Sequence, residues 1–220
     1  MDISPTFIFI FVAWLFSLCL HEFSHAAVAY LGGDHTVKEK GYLTLNPLKY
    51  TDPFLSIILP ILFLLIGGIG LPGGAVYIER RLLRSRGWDC GVSLAGPAAN
   101  IVLAILIASP FYLGFVDPAS TDPVWQAVAF LVVLQIFAAV LNLLPVPGLD
   151  GFAAIAAWMD EMLRARIYQH ASMFIIGLFV VIWNVDSVNG LLWGTVFGMA
   201  ALLGVPPQMA LDGLDSFMLF

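Results

Sequence analysis

The sequence predicts an all-α polytopic membrane protein with five to six membrane helices and a re-entrant segment near residues 54–78. Three observations carry this prediction. Of 220 residues, 60% are hydrophobic and 11% charged, against about 45–50% and about 25% in an average soluble domain. So few charges cannot cover so much apolar surface in water. All nine basic residues fall in three short stretches: Lys38, Lys40 and Lys49; Arg80, Arg81, Arg84 and Arg86; Arg164 and Arg166. Between these stretches lie apolar runs long enough to cross about 30 Å of hydrocarbon. The composition also excludes a disordered chain. Nine basic against fifteen acidic residues, a net charge of −6, leave no cationic surface to track a phosphate backbone, so nucleic acid is not a partner.

Short basic loops stay on the cytoplasmic side, so an even number of crossings must separate any two basic stretches. The first span, residues 6–31, carries only Asp2 before it and runs from outside to inside, ending at Gly32 and Gly33. Residues 94–116 and 124–144 make two further spans joined by an acidic, Pro-containing outside turn at 117–123. Residues 53–71 lie between two inside stretches. Pro60, Gly67, Gly68, Pro72, Gly73 and Gly74 interrupt the region. A re-entrant helix with an irregular return satisfies the parity rule, because irregular backbone at membrane depth needs protein or a wet cavity around it. A conventional span with a long outside loop is the alternative. After Arg166, runs at 171–183 and 191–203 form a last pair, with residues 184–189 as the outside turn and Asp212 and Asp215 returning inside. The chain reads as one domain without internal repeats. The first run lacks the basic start of a cleavable leader. Cys19 and Cys90 read as two unpaired thiols.

Ionisable groups within a span cost at least about 2–3 kcal/mol each and mark function. The first span contains His21, Glu22 and His25, in the pattern His-Glu-x-x-His. Positions i and i+4 share a helix face, so the two imidazoles can hold one metal ion. Glu22 falls beside them, where zinc hydrolases keep a general base. Histidines packing between helices would explain one such residue more readily than this set. A hydrolytic zinc site needs a third protein ligand. Asp150 lies just past the inner end of another span, in a stretch broken by Pro145, Pro147 and Gly148. By itself Asp150 reads equally well as a turn residue capping backbone N–H groups. Beside the histidine motif the ligand reading leads.

Three motifs occur in order: His21-Glu22-Phe-Ser-His25, Leu94-Ala-Gly96-Pro97-Ala-Ala-Asn100, and Asn142-Leu-Leu-Pro145-Val-Pro147-Gly-Leu-Asp150-Gly151. With them the chain resembles the site-2 protease family of intramembrane zinc metalloproteases. The stretch from Thr44 through Asn46 and Pro47 to Asp52 and Pro53 is similar to a loop of its compact members, which lack PDZ and CBS modules. Tyr50 stands where compact relatives often carry His. The resemblance covers residues 18–151 and leaves the last two apolar runs uncovered. It implies a catalytic core over residues 6–151, followed by C-terminal helices near 168–206. It implies one Zn2+ on His21, His25 and Asp150, with Glu22 as base, and Asn142 near the active site holding substrate or stabilising an oxyanion. It further implies transmembrane protein substrates cut in or near the bilayer of the cell (inner) membrane, with the site toward the cytoplasm. A metal-ion transporter using the same His/Asp cluster is the competing reading. It calls for ionisable residues along several spans, whereas here they gather at one side.

Overall fold

The computed structural model describes residues 5–49 and 76–217. Every regular element among them is helical. Three helices are long and apolar enough to cross a membrane: α1 (Pro5–Gly32), α3 (Arg86–Ile107) and α5 (Pro123–Asn142). Short helices α2 (Thr36–Glu39) and α4 (Ser109–Tyr112) follow the first two, and α6 (Asp150–Ala156) follows the third. The chain continues through α7 (Glu161–Tyr168), α8 (Ala171–Asn184), α9 (Asp186–Leu202) and α10 (Pro207–Phe217). The pairs α7/α8 and α9/α10 bend by 57° and 117°, and counting each as one broken span gives up to five crossings. The expected re-entrant return lies outside the described residues, apart from 76–78, which are non-helical.

Local chemistry fixes the helix boundaries. Ser85 Oγ accepts the Trp88 N–H at the start of α3, and Asp122 Oδ1 accepts that of Val124 at the start of α5. Each side chain satisfies a backbone donor that the first turn leaves orphaned. Pro123 follows Asp122 at the first helical position, where its missing N–H costs nothing. The cap moves the start of α3 forward to Arg86 from the expected residue 94. Asp89 therefore becomes part of the helix's first turn.

Helices α1 and α3 run antiparallel. Gly32 faces Trp88, His25 meets Val92, and Ile8 and Phe9 share an apolar wall with Leu103 and Ile107. The most buried span is α5, against which α1, α3, α9 and α10 all pack. Its Val132, Val133 and Ile136 join Ala104 of α3, Ala108 just past its end, and Val196 and Ala200 of α9 in one core. In lipid, close packing and interhelical hydrogen bonds replace the hydrophobic drive. Small side chains at these contacts allow the close approach.

The C-terminal third departs from the expected hairpin. Trp193, midway along α9, stacks on Phe137 in the last third of α5 at 5.1 Å. Gly204, past the end of α9, abuts the Phe111 and Tyr112 backbone. Helix α9 therefore runs back along α5, away from the end where His25 and Asp150 lie. This puts residues 184–189 on the metal-site side of Phe137 and corrects their reading as an outside turn. The tail is corrected too. After its 117° bend, α10 folds under the start of α5, where Gln126 Nε2 donates to Asp212 Oδ2 at 3.4 Å and Phe217 stacks on Phe7. Asp212 thus lies at the end opposite the basic stretches. Apolar length reveals each run, but not the direction in which α9 packs along α5, and that direction decides the side on which the chain emerges. In a chain with both native cysteines replaced by Ser, Ser216→Cys and Ala119→Cys will react with an impermeant thiol reagent from one face of the membrane, and Arg84→Cys from the other.

Candidate metal centre

The first two motif residues face α3 from α1. His21 Nδ1 lies 2.5 Å from Asn100 Oδ1, and His25 Nδ1 lies 2.6 Å from the Val92 carbonyl. A hydrogen-bond chain settles which nitrogens carry protons. The Ser17 hydroxyl donates to the Trp14 carbonyl and accepts from Gln135 Nε2 at 2.9 Å. Gln135 Oε1 accepts from Asn100 Nδ2 at 2.9 Å. Asn100 therefore turns its carbonyl oxygen to His21, whose Nδ1 must donate. The Val92 oxygen is an acceptor only, so His25 Nδ1 donates as well. Each neutral imidazole then presents an unprotonated Nε2 to the other, 3.1 Å away.

The third group comes from the broken segment. Helix α5 stops at Asn142, and the chain turns through Gly148, which has φ of 103°, a region closed to most side chains. Asp150 opens α6, and Gly151 is so close to the Leu143 carbonyl that a Cβ there would overlap it. This fold-back brings Asp150 Oδ2 to 3.2 Å from His21 Nε2 and 3.4 Å from His25 Nε2. That oxygen is buried and accepts no hydrogen bond. The three ligand atoms lie within 4.8 Å of one another.

Three acceptors pointing at one another repel unless a cation sits among them. Two imidazole nitrogens and one carboxylate oxygen suit zinc, and three protein ligands leave a coordination position for water or substrate. Each imidazole is also held by an outer acceptor, as metal-binding histidines require. Gly96 on α3 supplies the space: a Cβ there would overlap Nε2 of both histidines. The donor set, the orphaned oxygen and the vacant Cβ position therefore all fit one metal ion. Among the described residues this is the one His/Cys/Asp/Glu group that could hold such an ion.

Glu22 is 4% exposed and lines the same cavity of about 260 Å³, together with Val76, Asn142 and Tyr168. Its Oε2 accepts the Val76 backbone N–H at 3.1 Å. Residues 76–84 are strapped along the end of α1. Buried Asp34 accepts the Glu79 N–H at 2.7 Å, and the Arg84 N–H donates to the Gly32 carbonyl at 2.9 Å. Asn142 lines both the metal cavity and a small pocket beside Ser17, Asn100 and Gln135. One Asn142 N–H bonds the Ala138 carbonyl at 3.1 Å, and the amide has a second to offer. The Ser24 hydroxyl donates back to the Leu20 carbonyl at 2.7 Å. Cys19 and Cys90 are free thiols.

Sequence reading missed Ser17, Asp34, Asp89, Val76 and Gln135. Ser17 and Gln135 had a readable signal, a polar side chain in an apolar run. Asp34 directly follows the helix-ending glycine pair, where a side chain can cap the turn. Asp89 was hidden by placing the start of its helix too late. Val76 acts through its backbone and gives no side-chain signal.

The Gly96 contact makes a sharp prediction. Gly96→Ala will lower zinc affinity by at least the roughly 10–100-fold seen when a ligand's support is lost, measured by competition with a chelating dye. Ala98→Gly, two positions along, will leave it within about twofold, as expected of a site away from the ligands.

Comparison with known proteins agrees with this site. The chain is 43% identical over 207 residues to a Mycobacterium tuberculosis protein provisionally named zinc metalloprotease Rip2, covering 94% of this chain and 78% of that one. It is 55% identical over 149 residues to the Mycolicibacterium smegmatis protein of the same name, covering 68% of this chain and 56% of the relative. The chain thus spans just over half of that relative's length. A Bacillus subtilis protein provisionally named zinc metalloprotease YwhC is 31% identical over 190 residues, covering 84% of each. No family model and no solved structure matches. On this similarity across most of both chains, and on the motifs that meet in the cavity, the chain belongs to the site-2 protease family of zinc metalloproteases.

Proposed function

We propose that this protein is an intramembrane zinc metalloprotease that hydrolyses peptide bonds in or near transmembrane segments of other proteins. The observation that carries the reading is the convergence of His21, His25 and Asp150 within 4.8 Å, with Glu22 beside them, on helices that belong in a bilayer. The two histidines and Asp150 would hold the ion. Zinc, when bound, supplies Lewis acidity that acidifies water and polarises a carbonyl.

The protein's own groups do the rest. The Val76 N–H engages Oε2 of Glu22, which leaves Oε1 to take a proton from the attacking water. Glu22 then returns that proton to the leaving amine, since the base of the first step is the acid of the second. The free N–H of Asn142 stabilises the negative oxygen of the tetrahedral centre. A substrate helix has no spare backbone groups, so it enters locally unwound, and the non-helical residues 76–79 offer an edge along which an extended peptide can pair. Arg80, one of the residues that the charge rule assigns to the cytoplasm of the cell membrane, lines the cavity. A transporter would instead need ligands strung along a path to both faces.

Metal analysis and cleavage of a membrane-embedded substrate test this reading together. Glu22→Gln will keep its zinc and lose about 10²–10⁴-fold in kcat, the usual contribution of a general base. Asp150→Asn will lose zinc as well as cleavage. Full cleavage by Glu22→Gln, or metal flux without any proteolysis by the wild type, overturns the protease mechanism.

A further inference from the structure

A second and larger cavity, of about 760 Å³, adjoins the metal cavity at the basic end of the molecule. Ile78, Arg80 and Tyr168 line both, so these three side chains form the partition between them. Charge does not balance at this partition. Asp89 is the carboxylate shared by two guanidiniums: Arg80 Nη1 bonds its Oδ1, and Arg164 Nη1 lies 3.0 Å from its Oδ2. Two cations against one anion leave a charge of +1. The three side chains are well shielded, at 31%, 20% and 9% exposure for Arg80, Arg164 and Asp89.

Among the described residues, the other acids of the cavity do not supply the missing charge. Glu79 turns to Lys40 and Arg81, each at 3.5 Å. Glu161 stands exposed at the mouth, and Arg81 and Arg86 add further positive charge to the lining. Ser93, bonded to Arg80 at 3.2 Å, is neutral. Each guanidinium spends only Nη1 on these partners and keeps further donors on a rigid planar fork. A half-shielded, uncompensated fork of this kind is a receptor for a carboxylate or a phosphate.

We propose that this second cavity is a binding site for an acidic side chain of the polypeptide substrate, on the polar side of the scissile bond, with Arg80 and Arg164 as the recognising groups. The occupant's identity as a peptide rests on the protease reading. A chain leaving the metal cavity past Ile78 and Tyr168 meets Arg80 directly, and this favours a peptide over a lipid headgroup, which has no need of the metal cavity.

The test uses the full chain carrying Glu22→Gln, in nanodiscs of zwitterionic lipid. Its probe is a fluorescent peptide with an apolar segment followed by a polar segment containing either Glu or Gln. Fluorescence anisotropy is expected to give about tenfold tighter binding of the Glu peptide, the scale of a charge-assisted bond. Arg164→Gln removes the surplus charge and will bring the two peptides within about twofold, while Arg164→Lys, which keeps the charge but loses the planar fork, will retain only part of the preference. Asp89→Asn adds surplus charge and will move the preference the opposite way, upward, so the two signs separate recognition from misfolding. Equal binding of both peptides by the parent overturns the proposal. So does a Glu preference that vanishes in phosphatidylglycerol discs together with Arg164-dependent retention of that lipid, which would make the site a headgroup site. If the Glu preference holds but the wild type cleaves nothing, the protease reading fails and the peptide site stands.

Discussion

One hydrogen-bond chain organises the centre of the molecule. It begins at the Trp14 carbonyl, passes through Ser17 on α1, Gln135 on α5 and Asn100 on α3, and returns to α1 at His21. Every link after the first, which stays within α1, crosses between helices, so the chain glues the three main spans together where lipid offers no other polar partner. Such interhelical bonds are worth about 0.6 kcal/mol on average and up to about 1.7. Their larger effect is directional. The chain has one sense of donation, and that sense forces the His21 Nε2 lone pair toward His25 and Asp150. The bonds that assemble the bundle therefore also prepare the metal site, and one cannot be altered without the other.

The strap of residues 76–84 is held by three acids from three different places. Glu22 takes the Val76 N–H, Asp34 takes that of Glu79, and Asp89 takes the Arg80 side chain. Glu22 lies in the middle of a span, Asp34 just past its end and Asp89 in the first turn of the next helix. Together they lay the strap along the cavity wall, with residues 76–79 non-helical and a single 3-10 turn at Arg80–Leu82. A helix in that position would have spent its N–H groups internally, and Glu22 would have lost its donor. An unwound segment beside Glu22 thus supplies the donor that holds its carboxylate, and Asp34, which is fully buried, is committed to keeping it there.

Much of this was legible in the sequence because the bilayer limits the choices. Apolar runs of span length located α1 and α5 to within about two residues, whereas α3 begins eight residues earlier and ends nine residues earlier than its apolar run. The histidine pair was readable because two ligands four residues apart must share a face, and the pairing of Asp150 with them followed from a helix broken by Pro145, Pro147 and Gly148. The last two helices were not legible. Their apolar lengths looked like a hairpin, yet their direction depends on the bend near Gly204 and on contacts such as Phe137 with Trp193, which hydropathy does not encode. The role of Asn100 was hidden for another reason: it acts through the orientation of its amide, which only Gln135 and Ser17 determine.

The two cavities also explain how so few charges suffice. A bilayer protein can keep few ionised groups, and this chain spends several of its acids on organisation. Asp89 shows the economy most clearly. Removing one of its partners would leave a shielded charge without an opposite, yet nature has attached two partners to one carboxylate and left the surplus unpaired. An uncompensated guanidinium so close to a hydrolytic site is costly to the resting protein. That cost is sustainable only if another negative charge meets it during the working cycle. Under the proposed function the site is completed by its substrate, with the metal cavity selecting an unwound peptide and the cavity beside it selecting that peptide's charge.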